Sequence, residues 1–259
     1  MDGASGSARP RKLRFRSELA DFWRFVRHPH PARRLPGRTP AIGWVSDWWP
    51  GVGPGRLLAW AAVLWLINLF ALGPVAVAAA GVGGVTHRLD PANIPWLTAV
   101  IWAPLVEEML FRYGLRRPKQ ALWLCPALLP VVLYGPRIWT GLLLAAFVLL
   151  ACWSLRPRPE PLKGWNTAWR RHYLKHFGWV FHLVALTFAA VHLTNFVFNH
   201  TPYWLLPLLV LPQWLTGLVL GWIRIRRGIG AAIALHAMFN AGPILLIWAV
   251  MRWAPTAAG

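Results

Sequence analysis

Seven long apolar stretches alternate with short clusters of Arg and Lys, with limits near residues 57–80, 94–115, 121–135, 138–155, 177–198, 204–223 and 229–251. Runs of ~20 apolar residues match the hydrocarbon core of a bilayer, and cationic clusters between such runs mark membrane loops. A soluble chain of 259 residues would carry roughly a quarter charged residues. Here 14% are charged and 57% apolar, which excludes an ordinary soluble enzyme and a disordered polyelectrolyte alike. A net charge of +19 raises nucleic acid as a partner, but the distribution of the charge explains it otherwise. With the N-terminus cytoplasmic, 23 of the 27 basic residues fall in inner segments. Only Arg88, Arg137 and Arg252 fall outside, and Arg112 lies within a span. The asymmetry predicts an all-α polytopic transmembrane bundle of about seven spans, N-terminus in and C-terminus out. The expected setting is the plasma (inner) membrane, with no nucleic-acid partner.

Two regions are expected: a basic cytoplasmic or interfacial segment, 1–55, and a transmembrane unit, 56–252, with no internal repeat. No apolar run follows the basic stretch within the first thirty residues, so no signal peptide is expected and the first span serves for insertion. Phe15, Leu19, Phe22, Trp23 and Val26 recur at helical spacing, with Arg14, Arg16, Arg24 and Arg27 between them. This predicts an amphipathic helix on anionic lipids, with a basic tail as the alternative. His28-Pro29-His30-Pro31 must end it. Cys125 and Cys152 sit in apolar runs and read as core filler rather than as a disulfide or metal pair. His172 and His176 have a formal metal-ligand spacing but only cations around them. They read as interfacial, beside Trp165, Trp169 and Tyr173 as belt anchors.

Glu107, Glu108 and Arg112 do not belong in an apolar span. Each charge at a bilayer centre costs ~2.5–3.5 kcal/mol on insertion scales, so such groups pair, face a wet cavity, or act. Glu108 and Arg112 stand at i and i+4 with the acid first, the favourable order. Glu107 points ~100° away and has no local partner. Pro104 cannot donate to the Val100 carbonyl and opens the backbone near the carboxylates. The fifth stretch carries Phe188, His192 and Asn195 on one helical face, and the seventh carries His236 and Asn240. Each pattern alone fits packing; the three together do not.

The set Glu107-Glu108-x-x-x-Arg112, Phe188-x-x-x-His192 and His236-x-x-x-Asn240 resembles the type II CAAX prenyl endopeptidase family. That family also takes in the CPBP (CAAX protease and bacteriocin-processing) intramembrane proteases. The stretch from Gly217 through Gly242 is similar to the family's final helix pair. The resemblance covers 94–115 and about 177–245. It departs from the usual bacterial pattern in the 75 residues between Arg112 and Phe188, which are expected to hold an inserted helix pair at about 121–155.

The resemblance implies an intramembrane endopeptidase acting on a membrane-associated or lipidated protein or peptide. It makes Glu107 the base for a water, with His192 helping to hold that water. His236 and Asn240 are implied as oxyanion donors, and Glu108, Arg112 and Phe188 as support. A buried carboxylate is a competent base near neutral pH, and convergent donors suit a developing oxyanion. No cofactor is expected. A zinc on Glu107, His192 and His236 is the second choice, ranked lower because the H-E-x-x-H signature is missing. A non-catalytic transporter or an immunity or scaffold protein is the alternative class, since intramembrane Glu, Arg and His also build proton relays.

Overall fold

The computed structural model describes residues 13–35, 45–90, 93–154 and 167–253. Trp165 and the outermost basic residues of the N-terminal segment lie outside them. The chain begins with α1 (Phe15–Arg27), which stops directly before His28-Pro29, and a short α2 (Val45–Trp48). A long helix follows: α3 (Pro54–Ile67) passes through a π turn at Asn68–Leu72 into α4 (Gly73–Val82). The second long helix occupies residues 98–115. It comprises a π turn (Thr98–Trp102), α5 (Ala103–Glu107), a second π turn (Glu108–Arg112) and a 3-10 turn (Tyr113–Leu115). We call it the site helix. Next come α6 (Pro118–Ala127), α7 (Leu129–Tyr134), α8 (Ile138–Ser154) and α9 (Thr167–Lys175). The chain continues through α10 (Phe177–Val191), a 3-10 turn (His192–Asn195), α11 (Leu206–Leu209), α12 (Leu211–Arg227) and α13 (Ile229–Trp253). The strands β1 (Thr86–His87) and β2 (Phe196–Val197) pair antiparallel and tie the loop after α4 to the end of α10.

The expected seven spans are corrected. Among the described residues three helices are long and apolar enough to cross a membrane: Pro54–Val82, Phe177–Asn195 and Ile229–Trp253. A fourth is reached if Tyr203–Leu209 and Leu211–Arg227, bent by 48°, count as one. Composition suggested crossings that helix continuity does not supply. Pro126 and Pro130 lie where α6 gives way to α7, so 121–135 is two short helices, and the apolar part of α8 runs only over Ile138–Trp153. The site helix is long enough but carries Glu107, Glu108 and Arg112. The alternation of inner and outer loops drawn from seven crossings falls with the count. An all-α bundle of membrane-length helices remains, with Phe70, Val77, Trp179, Leu183 and Trp248 on its exposed outer face.

Helix α1 does not present its apolar face outward. Phe15, Leu19, Phe22 and Val26 pack on the core that contains Trp60, Phe177, Phe181 and Trp222, and Phe25 is buried there as well. Only Trp23 of the five expected residues is exposed, with the Arg27 guanidinium over its ring at 4.7 Å. Burying each such aromatic is worth roughly 1.5–3 kcal/mol. Glu18 pairs with Arg227 and Asp21 with Arg226, while the indoles of Trp60 and Trp222 donate to the same two carboxylates at 3.2 and 2.9 Å. The amphipathic period identifies an apolar face, but these pairs decide what covers it.

Candidate functional site

Glu107 ends the short α5 between the two π turns, and Glu108 begins the second. In the first, the Ala103 N–H reaches back to Thr98 O rather than to Ala99 O. The next residue, Pro104, has no N–H to offer. The Ala99 carbonyl is therefore left without a helical donor, and the Asn240 side-chain Nδ2 supplies one at 2.8 Å. The sequence expectation located the freed carbonyl one residue later, at Val100; the wider π turn moves it. In the second turn the Tyr113 N–H goes to Glu108 O, which frees Met109 O. The Cys125 thiol approaches Met109 O at 3.8 Å and Leu110 O at 3.5 Å. Inserted turns of this kind are frequent at functional sites.

The adjacent carboxylates meet different surroundings. Glu108 is fully buried, 3.1 Å from Arg112 Nη1, and accepts a 2.9 Å hydrogen bond from His236 Nδ1. Glu107 is 27% exposed, and its Oε2 lies 3.8 Å from His236 Nε2 with no hydrogen-bond partner. The Arg112 guanidinium sits 3.7 Å above the Phe188 ring, a desolvated cation–π contact. Phe188 also meets His192 and His236 edge-on, with ring centroids 4.6 and 5.9 Å apart. Gly217 permits this closeness, since a methyl there would lie 3.2 Å from Phe188 Cδ1 and 3.3 Å from the Ala185 carbonyl. Phe188 is thus the surface on which Arg112 and both histidines rest.

The first turns of α10 lie against α1, not against the site helix. Phe181 packs edge-on to Phe25 at 5.1 Å, and His182 Nε2 donates to Val26 O at 3.1 Å. Phe188 then arrives level with Arg112. His192 closes α10, its Nδ1 donating to Phe188 O at 2.7 Å. A carbonyl only accepts, so in the neutral ring Nε2 carries the lone pair. His192, His236, Asn240, Gln213 and Thr216 line one cavity of about 120 Å³, with Phe188 in its wall. Gln213 and Thr216 were not among the expected site residues. Asn195 ends the 3-10 turn after His192, and its carbonyl accepts from the Arg88 N–H at 2.8 Å.

A zinc centre does not fit these side chains as placed. Among the described residues no group of three or more His, Cys, Asp or Glu is arranged to hold a metal, and both His236 nitrogens already face carboxylates. The His172 and His176 rings lie 4.2 Å apart at 39° to each other, with His172 exposed.

The N-terminal segment reaches the site from behind. Arg224, fully buried in α12, donates from Nε to Arg112 O at 3.1 Å and from Nη1 to Asp47 at 2.6 Å. Asp47 also pairs with Arg34. Burial would raise the Asp47 carboxyl, but the guanidiniums of Arg224 and Arg34 outweigh it and hold it at about 2. The Trp48 carbonyl sits against Gly230, where a methyl would overlap it. Sequence reading missed this clamp. The signal available was a single acid, Asp47, placed among many arginines.

No curated protein and no solved structure matches the chain. One family does: the type II CAAX prenyl endopeptidases described as Rce1-like, over residues 91–242. That range holds the site helix, α10, α12 and most of α13, hence the carboxylate pair and all three motifs. The chain belongs to the Rce1-like type II CAAX prenyl endopeptidases, a family of intramembrane proteases.

Proposed function

We propose that this protein hydrolyses a peptide bond of a membrane-associated or lipidated protein with a water activated by Glu107. The observation that carries the proposal is the inequality of the two glutamates. Each keeps one oxygen without a hydrogen-bond partner, but Glu108 is fully buried and held by Arg112 and His236, whereas Glu107 is 27% exposed and meets only His236 Nε2, at 3.8 Å. One carboxylate is structural and the other is free to take a proton.

A water donating one hydrogen to Glu107 and the other to the lone pair on His192 Nε2 presents its own lone pair to a carbonyl carbon. As the C–O bond forms, the proton passes to Glu107. It is returned to the leaving amine when the C–N bond breaks. The oxyanion needs donors. Asn240 has one amide hydrogen on Ala99 O and a second to give. His236 can give Nε2–H only when doubly protonated, because its Nδ1 hydrogen goes to Glu108. Glu108, Arg112 and Phe188 hold the histidines in place. No step uses a metal. The substrate lies in the plasma (inner) membrane on this reading, and the exposed arginines of α1 attract anionic lipid.

The test is a proteomic comparison of membranes carrying wild type and Glu107→Gln at equal abundance. Uncleaved precursors should accumulate with the variant; identical profiles would overturn the proposal.

A further inference from the structure

The cavity wall contains one amide with no assigned task. Of its polar groups, the Thr216 hydroxyl donates to Pro212 O at 2.8 Å and Asn240 donates to Ala99 O. His236 gives its Nδ1 hydrogen to Glu108, and His192 has given its Nδ1 hydrogen to Phe188 O. Gln213 is different: it lines the same cavity, and its buried Oε1 meets no donor. An unsatisfied buried amide oxygen is destabilising, and one that persists calls for an explanation.

The backbone aims this amide. Gln213 lies in the first turn of α12, directly after the 48° bend that separates α12 from α11. Pro212 precedes it, and the Thr216 hydroxyl fastens the Pro212 carbonyl one turn on. The side chain therefore starts from a fixed point on a rigid helix. A primary amide pairs with a peptide group as both donor and acceptor, and either end can face inward after a half-turn about its last bond. The cavity measures about 120 Å³, and a peptide group, which both donates and accepts, matches an amide in its wall better than an apolar lipid chain does.

We infer that Gln213 hydrogen-bonds the main chain of the substrate beside the scissile bond and fixes it against His192 and Asn240. The inference rests on the protease reading, and it deepens that reading by naming a residue that touches substrate. The residue selects for a peptide group, not for a side chain, so it favours an extended chain of any sequence that the cavity admits.

Binding tests it apart from catalysis. In a Glu107→Gln background, fluorescence anisotropy measures the affinity of the full-length protein for a labelled peptide ending in an S-farnesylated CAAX sequence. Three further peptides replace each of the last three backbone amides in turn with an ester. With Gln213 present, one ester should bind about tenfold or more weaker than the amide peptide. With Gln213→Met, the amide peptide should bind about tenfold weaker and that ester should lose nothing further, while Gln213→Asn should fall between. Equal losses for all three esters whether Gln213 is present or replaced by Met, or no binding of the amide peptide, would overturn the inference. Melting temperatures of the variants matching that of the parent exclude misfolding as the cause. Separately, cleavage of the amide peptide by wild type and not by Glu107→Gln tests the protease reading itself. That reading can therefore stand or fall whatever the esters do.

Discussion

Asp47→Asn keeps the shape of the side chain and removes the charge shared by Arg34 and Arg224. The Arg224 side chain is 0% exposed and that of Asp47 4%, so solvent screens the pair little. Holding the carboxyl at about 2 instead of 3.8 corresponds to about 2.4 kcal/mol at ~1.36 kcal/mol per unit. Leaving Arg224 buried without its acid raises the cost toward ~3–5 kcal/mol. At ~2–4 °C per kcal/mol for a chain of this size, the variant should melt roughly 6–20 °C lower at pH 7. Tryptophan fluorescence during heating in detergent reads this directly. The sign in pH follows from the lowered folded value. The contribution is complete above 3.8, wanes as pH falls toward 2, and is about half gone at pH 3. The gap between wild type and Asp47→Asn should therefore narrow from pH 7 to pH 3. Equal melting temperatures at pH 7, or a gap that ignores pH, would refute the assignment of Asp47 as the anchor of Arg224.

Arg112→Met should lower stability by about 3–5 kcal/mol, because Glu108 would stay buried with only His236 beside it; thermal unfolding checks this. Phe188→Leu removes the ring beneath the guanidinium, worth about 2 kcal/mol when desolvated. It should also lower activity, since both histidines rest on that ring. Gly230→Ala drives a methyl into the Trp48 carbonyl and should cost about 1–3 kcal/mol, with limited proteolysis reporting release of α2.

The charged cluster of the candidate site was legible because charge is expensive in an apolar run. Glu107, Glu108 and Arg112 stand out from their neighbours, and helical spacing alone puts His236 and Asn240 on one face. Phe188 stood out only through its place in a motif. Its packing beneath Arg112 needs the approach of α10 to α12 at Gly217, which no local pattern encodes. The span count misled because mean hydropathy is blind to continuity, and Pro126 and Pro130 divide what composition joins. The face of α1 was read correctly as apolar but given the wrong cover. Its period carries no word of Trp60 or Trp222, although Glu18 and Asp21, two of only eight acids in the chain, pointed toward the Arg226-Arg227 pair. The Asn240–Ala99 link was half legible: Pro104 announced a freed carbonyl, but the π turn that chooses which one depends on tertiary packing.

The division of labour between the adjacent glutamates is tested most directly by Glu107→Gln and Glu108→Gln, each assayed for melting temperature and for cleavage of a farnesylated CAAX peptide. Glu107→Gln should melt with wild type and lose about 10²–10⁴-fold or more in rate. Glu108→Gln should melt several degrees lower, because Arg112 loses its counter-charge. A Glu107→Gln protein that cleaves at the wild-type rate would contradict the central claim.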